Sequence, residues 1–587
     1  MEFEKIIPAS SLAAEQCGNG LTVDGSILAS FAEQAFKRLS FTFPEAHLES
    51  LRKVACDPAA SENDRLVAVK LLENAVIAAK GVLPLCQDTG VAQIFAWKDE
   101  AVRSVLSASD RSVYFGSETE ALSAGIEKAY KENNLRFSIN VPSSLFDEKN
   151  SATNLPAQID IFAAHETDRG GECNISGTGG NVRANGDAAA SGVCDTSKAE
   201  CSPTGKSSYR FLFCAKGGGS SNKTDFTCAT KALLNPQAFE CFLQTKIAAL
   251  GTAACPPYTI AVVIGGLSPE QNLLTLKLAT TGYWDAAEIL NKTAGAIRWT
   301  DTVGGVRPLR CKDWEERVLR IAAKTGLGAQ FGGSHLAAHA RVFRLPRHGA
   351  SCFASIGVSC NAHRNMVGYI SREGAFLQKN VADPQPFLQA ALQFHSRLTN
   401  ALKAEPVHID LCSIDSTRAE LSRYPVGQAF LFSGEILVAR DAAHARWKTR
   451  LEKGEPLPDY TLRYPILYAG PAETPEGAVI GSFGPTTANR MDPYADDLMG
   501  RGAALITVAK GNRSELWRSA CKKYGAFYLG TIGGAAALIA EKHITVRRIL
   551  DYPDLGMEAV QLITVKDLPV FLITDDKGND FYASLKR

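Results

Sequence analysis

Apolar residues recur at helical spacing through Leu66, Val69, Leu72 and Val76, with Ser61 placed to cap the first turn and Gly81 to stop the last. The pattern predicts a helix over Ser61 to Lys80. A second helix is expected from Glu118 to Tyr130, and one amphipathic piece runs from Ile27 to Leu39. Strands are expected at Val91 to Trp97, Leu155 to Ala164, Tyr209 to Ala215 and Thr259 to Gly265, and Phe137 to Val141 alternates apolar and polar. The mixture predicts an α/β fold. Residues 1–45 are otherwise weakly patterned and are expected as an extension packed on the main domain. Residues 46–375 would form a mixed α/β N-terminal domain, 376–405 a linker carrying Pro384 and Pro386, and 406–587 a smaller C-terminal α/β domain.

Length supports the division, because 587 residues exceed what one hydrophobic core usually sustains. Charge narrows the partners: 63 basic against 62 acidic residues give no global attraction to nucleic acid or anionic membrane. No apolar run approaches the roughly 20 residues of a spanning helix. Met1 to Glu15 has neither a secretory apolar core nor the acid-free, arginine-rich character of a transit peptide, so a cytoplasmic home is expected, with a mitochondrial pool left open. Fifteen cysteines in such a chain read as free thiols, a minority of them ligands. Residues 166–208 are rich in Gly, Ser, Ala, Asn and Thr and are expected as a mobile surface insertion. The spacing of Cys173, Cys194 and Cys201 there fits no standard zinc site.

Several stretches carry chemistry. Leu83-Pro84-Leu85-Cys86-Gln87-Asp88-Thr89-Gly90 leaves the first helix as a loop that sets a thiol, an amide and an acid side by side. Lys216-Gly217-Gly218-Gly219 follows a strand and invites close approach of an anion to backbone N–H groups. Cys255-Pro256-Pro257 puts a second thiol at the mouth of a buried strand. Arg341, Arg344, Arg347 and His348, with nearby glycines and the thiols Cys352 and Cys360, suggest an electropositive pocket. Arg136, at a helix-to-strand junction, has the ordinary reading of a solvated charge.

Together with Leu155-Pro156-Ala157-Gln158-Ile159-Asp160, Gly357-Val358-Ser359-Cys360 and Gly484-Pro485-Thr486-Thr487, these stretches resemble the class I, iron–sulfur-dependent fumarate hydratases, from about residue 46 to the C-terminus. The resemblance implies a hydro-lyase that interconverts fumarate and L-malate as a homodimer. It implies a [4Fe–4S] cluster held in the N-terminal domain by Cys86, Cys255 and Cys360, with the third ligand at Cys360 rather than at Cys352, eight residues earlier. One iron would be left without a protein ligand. Asp88 and Thr486 match the proton-transfer positions. Gln87, Arg136, Gly219, His348, Arg440, Arg490 and Lys510 match the substrate-binding ones, with the C-terminal domain closing the site. Guanidinium groups suit the grip on two carboxylates.

The chain departs from the family pattern at the 166–208 insertion, at Ser334 where lysine is common, at Phe353 where proline is usual and at Asn489 where glycine is usual. Related dehydratases of tartrate or mesaconate share the ligand motifs. A cluster-bearing sensor of iron or oxygen would have lost the acid–base pair, and Asp88 and Thr486 are both present.

Overall fold

The computed structural model describes residues 1–12, 20–106, 114–164, 207–292, 297–399 and 406–585. The expected insertion at 166–208 therefore lies almost wholly outside the described residues. The architecture is α/β. Three sheets organise it, and residue parity along their strands explains how they stack.

The first sheet has six strands in the spatial order Phe3–Pro8, Gly374–Gln378, Asn365–Ser371, Tyr209–Lys216, Val91–Asp99 and Gln158–Ala164. Successive side chains of a strand face opposite sides. Ala92, Ile94 and Ala96 accordingly join Tyr209, Phe211 and Phe213 in a core under the helices Gly25–Phe41 and Glu118–Glu132. Phe95, Trp97 and Leu212 turn the other way and meet Ala261 and Val263 of the second sheet.

That second sheet runs Leu309–Arg310, Ala337–Arg347, Tyr258–Gly266, Cys352–Ser359, Asp225–Ala229. Its central strand, Tyr258–Gly266, is buried along its whole length because Ile260, Val262 and Ile264 face a further core. A strand covered on both faces has no need of polar alternation, which is why it reads as an unbroken apolar run. The third sheet holds seven strands, Val407–Leu411 through Ile544–Asp551, and pairing of Ala429–Val438 with Val560–Thr574 closes five of them on themselves. Its core is continuous with that of the second sheet.

Local expectations and structure agree where short-range chemistry decides. The first expected helix spans Glu62–Ala78, with Ser61 Oγ accepting from Asp64 N at 3.0 Å. Elsewhere tertiary partners decide. The expected extension supplies an edge strand, Phe3–Pro8, and the helix Gly25–Phe41, which is capped by Asp24 and buries Leu28, Phe31 and Phe36. The stretch expected as a linker contains the helix Gln385–Thr399, packed on Glu45–Ala55 and Glu62–Ala78. The alternating Phe137 to Val141 yields only the short strand Asn140–Pro142, because Ser138 N is taken by Asn154 Oδ1 at 2.7 Å and is lost to any ladder. No helix among the described residues is long and apolar enough to cross a membrane.

Candidate active site

The Cys86 loop is pinned from beneath. Asn74, on the Glu62–Ala78 helix, donates to Leu85 O at 2.9 Å and accepts from Leu538 N at 3.0 Å, so the loop is tied to both halves of the chain. Gly90 closes it with φ +85°, and a Cβ there would stand 2.8 Å from the Lys216 backbone. Only glycine permits that approach. It brings the Gly-rich turn against Asp88, whose Oδ2 accepts from Gly218 N at 2.9 Å while Oδ1 lies 3.1 Å from Arg136 Nη2. A Cβ on Gly217 would stand 2.8 Å from Asp88 Oδ2. Burial raises the Asp88 carboxyl, but Arg136, Arg364, the Gly218 N–H and Lys510 outweigh it and hold the group below the ordinary carboxylate range. Arg136 is itself buried, its backbone N–H bonded to Thr89 Oγ1 at 2.9 Å, so it is no solvated charge.

The strand register gathers the thiols. Thr259 pairs with Ser359, so Cys255, just before one strand, and Cys360, just after its antiparallel neighbour, emerge at the same end of the second sheet. Asn361 ties their loops: its N–H donates to Cys255 O at 3.1 Å, and its side chain donates to Pro256 O and Gly533 O, each at 3.1 Å. Lys510 Nζ lies 2.9 Å from Cys255 Sγ. Burial pushes the Cys255 thiol up to about 11 against the pull of Lys510, and Cys360 and Cys86 push it the same way. Burial lowers Lys510, but Cys255, Cys86 and Cys360 together overcome it and leave the ammonium raised. The three thiols thus share one neighbourhood. Cys352 does not belong to it. It opens the Cys352–Ser359 strand, pairs with Ala229 and is packed in the apolar core. At about 3.3 Å per residue, Cys352 and Cys360 stand roughly 26 Å apart.

The third sheet and the two-stranded sheet of Ala469–Pro471 and Phe483–Pro485 contribute the rest. Thr486 and Lys510 are stitched together, Lys510 N donating to Thr486 O at 3.2 Å and Ala488 N to Lys510 O at 2.9 Å. Gln87 reaches across to this loop and donates to Pro485 O at 3.3 Å. Arg440 Nη2 sits 3.0 Å from Glu558 Oε1, and Asp441 is shared between Arg440 and Arg490, the latter through Nε at 2.8 Å. Burial lowers Arg440, and the like charges of Arg136 and Arg490 add to the effect against Glu558 and Asp441.

These groups wall a cavity of about 290 Å³. Gln87, Asp88, Arg136, Gly219, Arg440, Thr486, Arg490 and Lys510 all line it, as does Asn489. The thiols lie directly behind the wall, Cys255 against Lys510 and Cys86 with its Sγ 3.4 Å from Gln87 Oε1.

His348 does not reach the cavity within one chain. It sits exposed on the turn between Ala337–Arg347 and Cys352–Ser359, at the end of the sheet opposite Cys360. The basic run before it does not gather into one pocket either, because strand geometry disperses it: Arg341 pairs with Asp285 and lines one hollow with His47 and His339, Arg344 lines a different one with Phe239 and Trp314, and Arg347 donates to the carbonyls of His348, Gly349 and Ser351.

Three residues escaped the sequence reading. Asn222 and Lys223 line the cavity, and their signal was their place one short helical turn after the glycines. Lys223 donates to Ala249 O at 3.3 Å, and burial lowers its pKa. Arg364, buried and acting on both Cys86 and Asp88, had no signal in the sequence.

Cations drawn from distant parts of the chain around one small cavity, with free thiols at its back, define a site for a small anionic substrate. Comparison with known proteins narrows this. Residues 29–184 and 197–368 match the family described as Fumarate hydratase (Fumerase), and residues 380–585 match Fumarase C-terminus. Fumarate hydratase 2 of Leishmania major is 42% identical over 96% of this chain and 88% of its own length. The aerobic class I fumarate hydratase of Escherichia coli (strain K12) is 42% identical over 96% of this chain and 91% of its own. Fumarate hydratase 1, mitochondrial, of Leishmania major is 41% identical over the same 96%, and 91% of its own length. The chain belongs to the class I fumarate hydratase family, and so to the hydro-lyases.

Proposed function

We propose that this chain catalyses the reversible hydration of fumarate to L-malate, with Cys86, Cys255 and Cys360 holding a [4Fe–4S] cluster. The observation that carries the reading is the join between cationic cavity and thiol group made by Lys510, which lines the one and touches the other. The donor set fits the cluster, since thiolates are its usual ligands and three free thiols from three separate loops meet here. Among the described residues no three His, Cys, Asp or Glu side chains close round a single metal ion. When bound, the cluster supplies Lewis-acid activation of the water or hydroxyl at its open iron.

The protein's own groups account for the rest. Five cations (Arg136, Lys223, Arg440, Arg490 and Lys510) line the cavity with one carboxylate, Asp88; Asp441 and Glu558 pair with the arginines from behind, and Arg364 acts on Asp88, so positive charge is in excess before any charge on the thiols, as a dicarboxylate substrate requires. Negative charge that builds on a substrate carboxylate in the transition state is met by guanidinium groups already fixed by their ion pairs. Asp88, held ionised, takes the proton of the attacking water on one side of the double bond. Thr486 delivers a proton to the neighbouring carbon, and the alkoxide it leaves is stabilised by Lys510 and Arg490. Gln87 and the Gly219 backbone orient the substrate between the two. The reading includes the homodimer and the cytoplasmic home expected from sequence, with a mitochondrial pool open.

The test is anaerobic purification with iron and sulfide counts and an optical spectrum, then fumarate hydration before and after air. Brown protein that hydrates fumarate and loses activity in air is expected. Colourless active protein would overturn the cluster. Brown protein inert to fumarate but active on tartrate or mesaconate would overturn the substrate and direct attention to Asn489 in the cavity wall.

A further inference from the structure

Beneath the loops of Arg490 and Lys510 lies a charged pair that no catalytic role explains. The Arg513 side chain is 0% exposed, and its Nε stands 2.8 Å from Oδ1 of Asp492, itself 5% exposed. The guanidinium carbon lies 3.2 Å from the ring centre of Trp517, 5.0 Å from that of Tyr528 and 5.4 Å from that of Tyr468. The contact between Nε and Oδ1 is an ion pair without hydrogen-bond geometry, and Nη1 and Nη2 make no hydrogen bond of good geometry among the described residues, so the aromatic groups and one carboxylate are the setting of this charge.

Stability alone does not account for such a pair. Taking two charges out of water costs about as much as their attraction returns, and apolar residues of similar volume often stabilise a core at least as well. What an apolar pair lacks is direction.

Here direction matters, because the pair bridges two loops of the cavity wall. Asp492 is two residues beyond Arg490, and Arg513 three beyond Lys510. Asp492 Oδ2 also accepts from Ser514 N at 2.7 Å, which locks the two loops a second time. The aromatic box reaches the same loops: Tyr528 donates to Gly511 O at 2.7 Å, and Tyr468 O accepts from Thr486 N at 2.7 Å.

We propose that the Arg513–Asp492 pair, clamped in its aromatic box, is a positioning device that fixes the spacing between Arg490 and Lys510 and thereby the grip on the substrate's carboxylates. The inference rests on the assignment of Arg490 and Lys510 to substrate binding. Arg513 touches neither substrate nor thiol; it acts through the two loops.

The test compares Arg513→Lys, Asp492→Glu and Asp492→Asn in the cluster-loaded full chain, with Leu498→Ala as a variant that loosens the same core away from the pair. Iron content is measured for each. For the pair variants a rise in KM for fumarate of about tenfold or more is expected, the scale of a misaligned charge-assisted hydrogen bond. Arg513→Lys should keep the charge yet not restore KM, since an ammonium lacks the planar face that the box holds. Leu498→Ala should leave KM unchanged. A purely structural role predicts the opposite: kcat per chain falls with the folded fraction and KM stays put in every variant, which would overturn the proposal. Arg490→Ala and Lys510→Ala separate the two layers of argument. If these leave KM unchanged, the substrate-binding assignment fails; if they raise it and the pair variants do not, the positioning inference fails alone.

Discussion

Replacing Cys352 and Cys360 by serine, one at a time, should separate stability from cluster binding. Cys352 is 0% exposed, and Cys352–Ser359 lies in the sheet between Tyr258–Gly266 and Asp225–Ala229. Serine there brings a hydroxyl into an apolar core with no partner prepared for it, which costs about 1–3 kcal/mol. Cys360 is only half-buried and follows the strand, so serine at that position costs little in packing and removes one of three thiols grouped behind the cavity. The two variants should therefore move in opposite senses. Cys352→Ser lowers the Tm of the metal-free protein and still takes up iron and sulfide; Cys360→Ser melts near the parent and fails to retain them. The assay is iron and sulfide per chain after anaerobic reconstitution, beside a melting curve of the untreated protein. Equal iron loss in both variants would refute the ligand assignment, and retention by Cys360→Ser with loss in Cys352→Ser would reverse it.

Asp88→Asn keeps the shape of the loop but gives up the anion that Arg136 and the Gly218 N–H hold ionised; kcat for fumarate hydration should fall by about 10²–10⁴ at unchanged iron content, the usual worth of a proton-transfer group, and a fall below about threefold would remove Asp88 from proton transfer. A pH effect is expected at His335. His335 contacts Asp64 at 3.1 Å and Asp57 at 3.3 Å, and the bond to Asp64, outweighing burial, raises its pKa above 6.5. A value raised in the folded state means that the stabilisation is fully present below the unfolded-state pKa and is lost as pH rises through the folded one. The Tm of the metal-free chain should therefore decline as pH rises from about 6.5 through the higher folded-state pKa, and His335→Gln should flatten that decline; an equal decline in the variant would show that other groups cause it.

The sequence was most legible where the determinant is local. Ser61 and the apolar spacing after it sit within one turn of what they control, and the helix begins where they say. The amphipathic pattern of Ile27 to Leu39 was legible too, but not the destination of its apolar face: Phe31, Ala32, Ala35 and Phe36 are wholly buried against the first sheet, a partner that local sequence does not name. The Cys86 loop and the Gly-rich turn were legible from their own chemistry, but the arginines of the cavity only through resemblance. Nothing in the local sequence of Arg136, Arg440 or Arg490 distinguishes it from the other arginines of the chain; what marks them is convergence, with Asp441 shared by two and Asp88 facing the third. The basic run at Arg341 to His348 shows the converse. Neighbours in sequence looked like a pocket, yet a strand sends alternate side chains to opposite faces and carries His348 away from Cys360. Cys352 and Cys360 differ for the same reason. Eight residues in a loop could have kept two thiols together; eight residues of strand place one in the core and the other at the site. Periodicity reveals which face a residue takes, and only the pairing of strands reveals which loops meet. Thr259 opposite Ser359 is the pairing that brings Cys255 and Cys360 to the same end of the sheet.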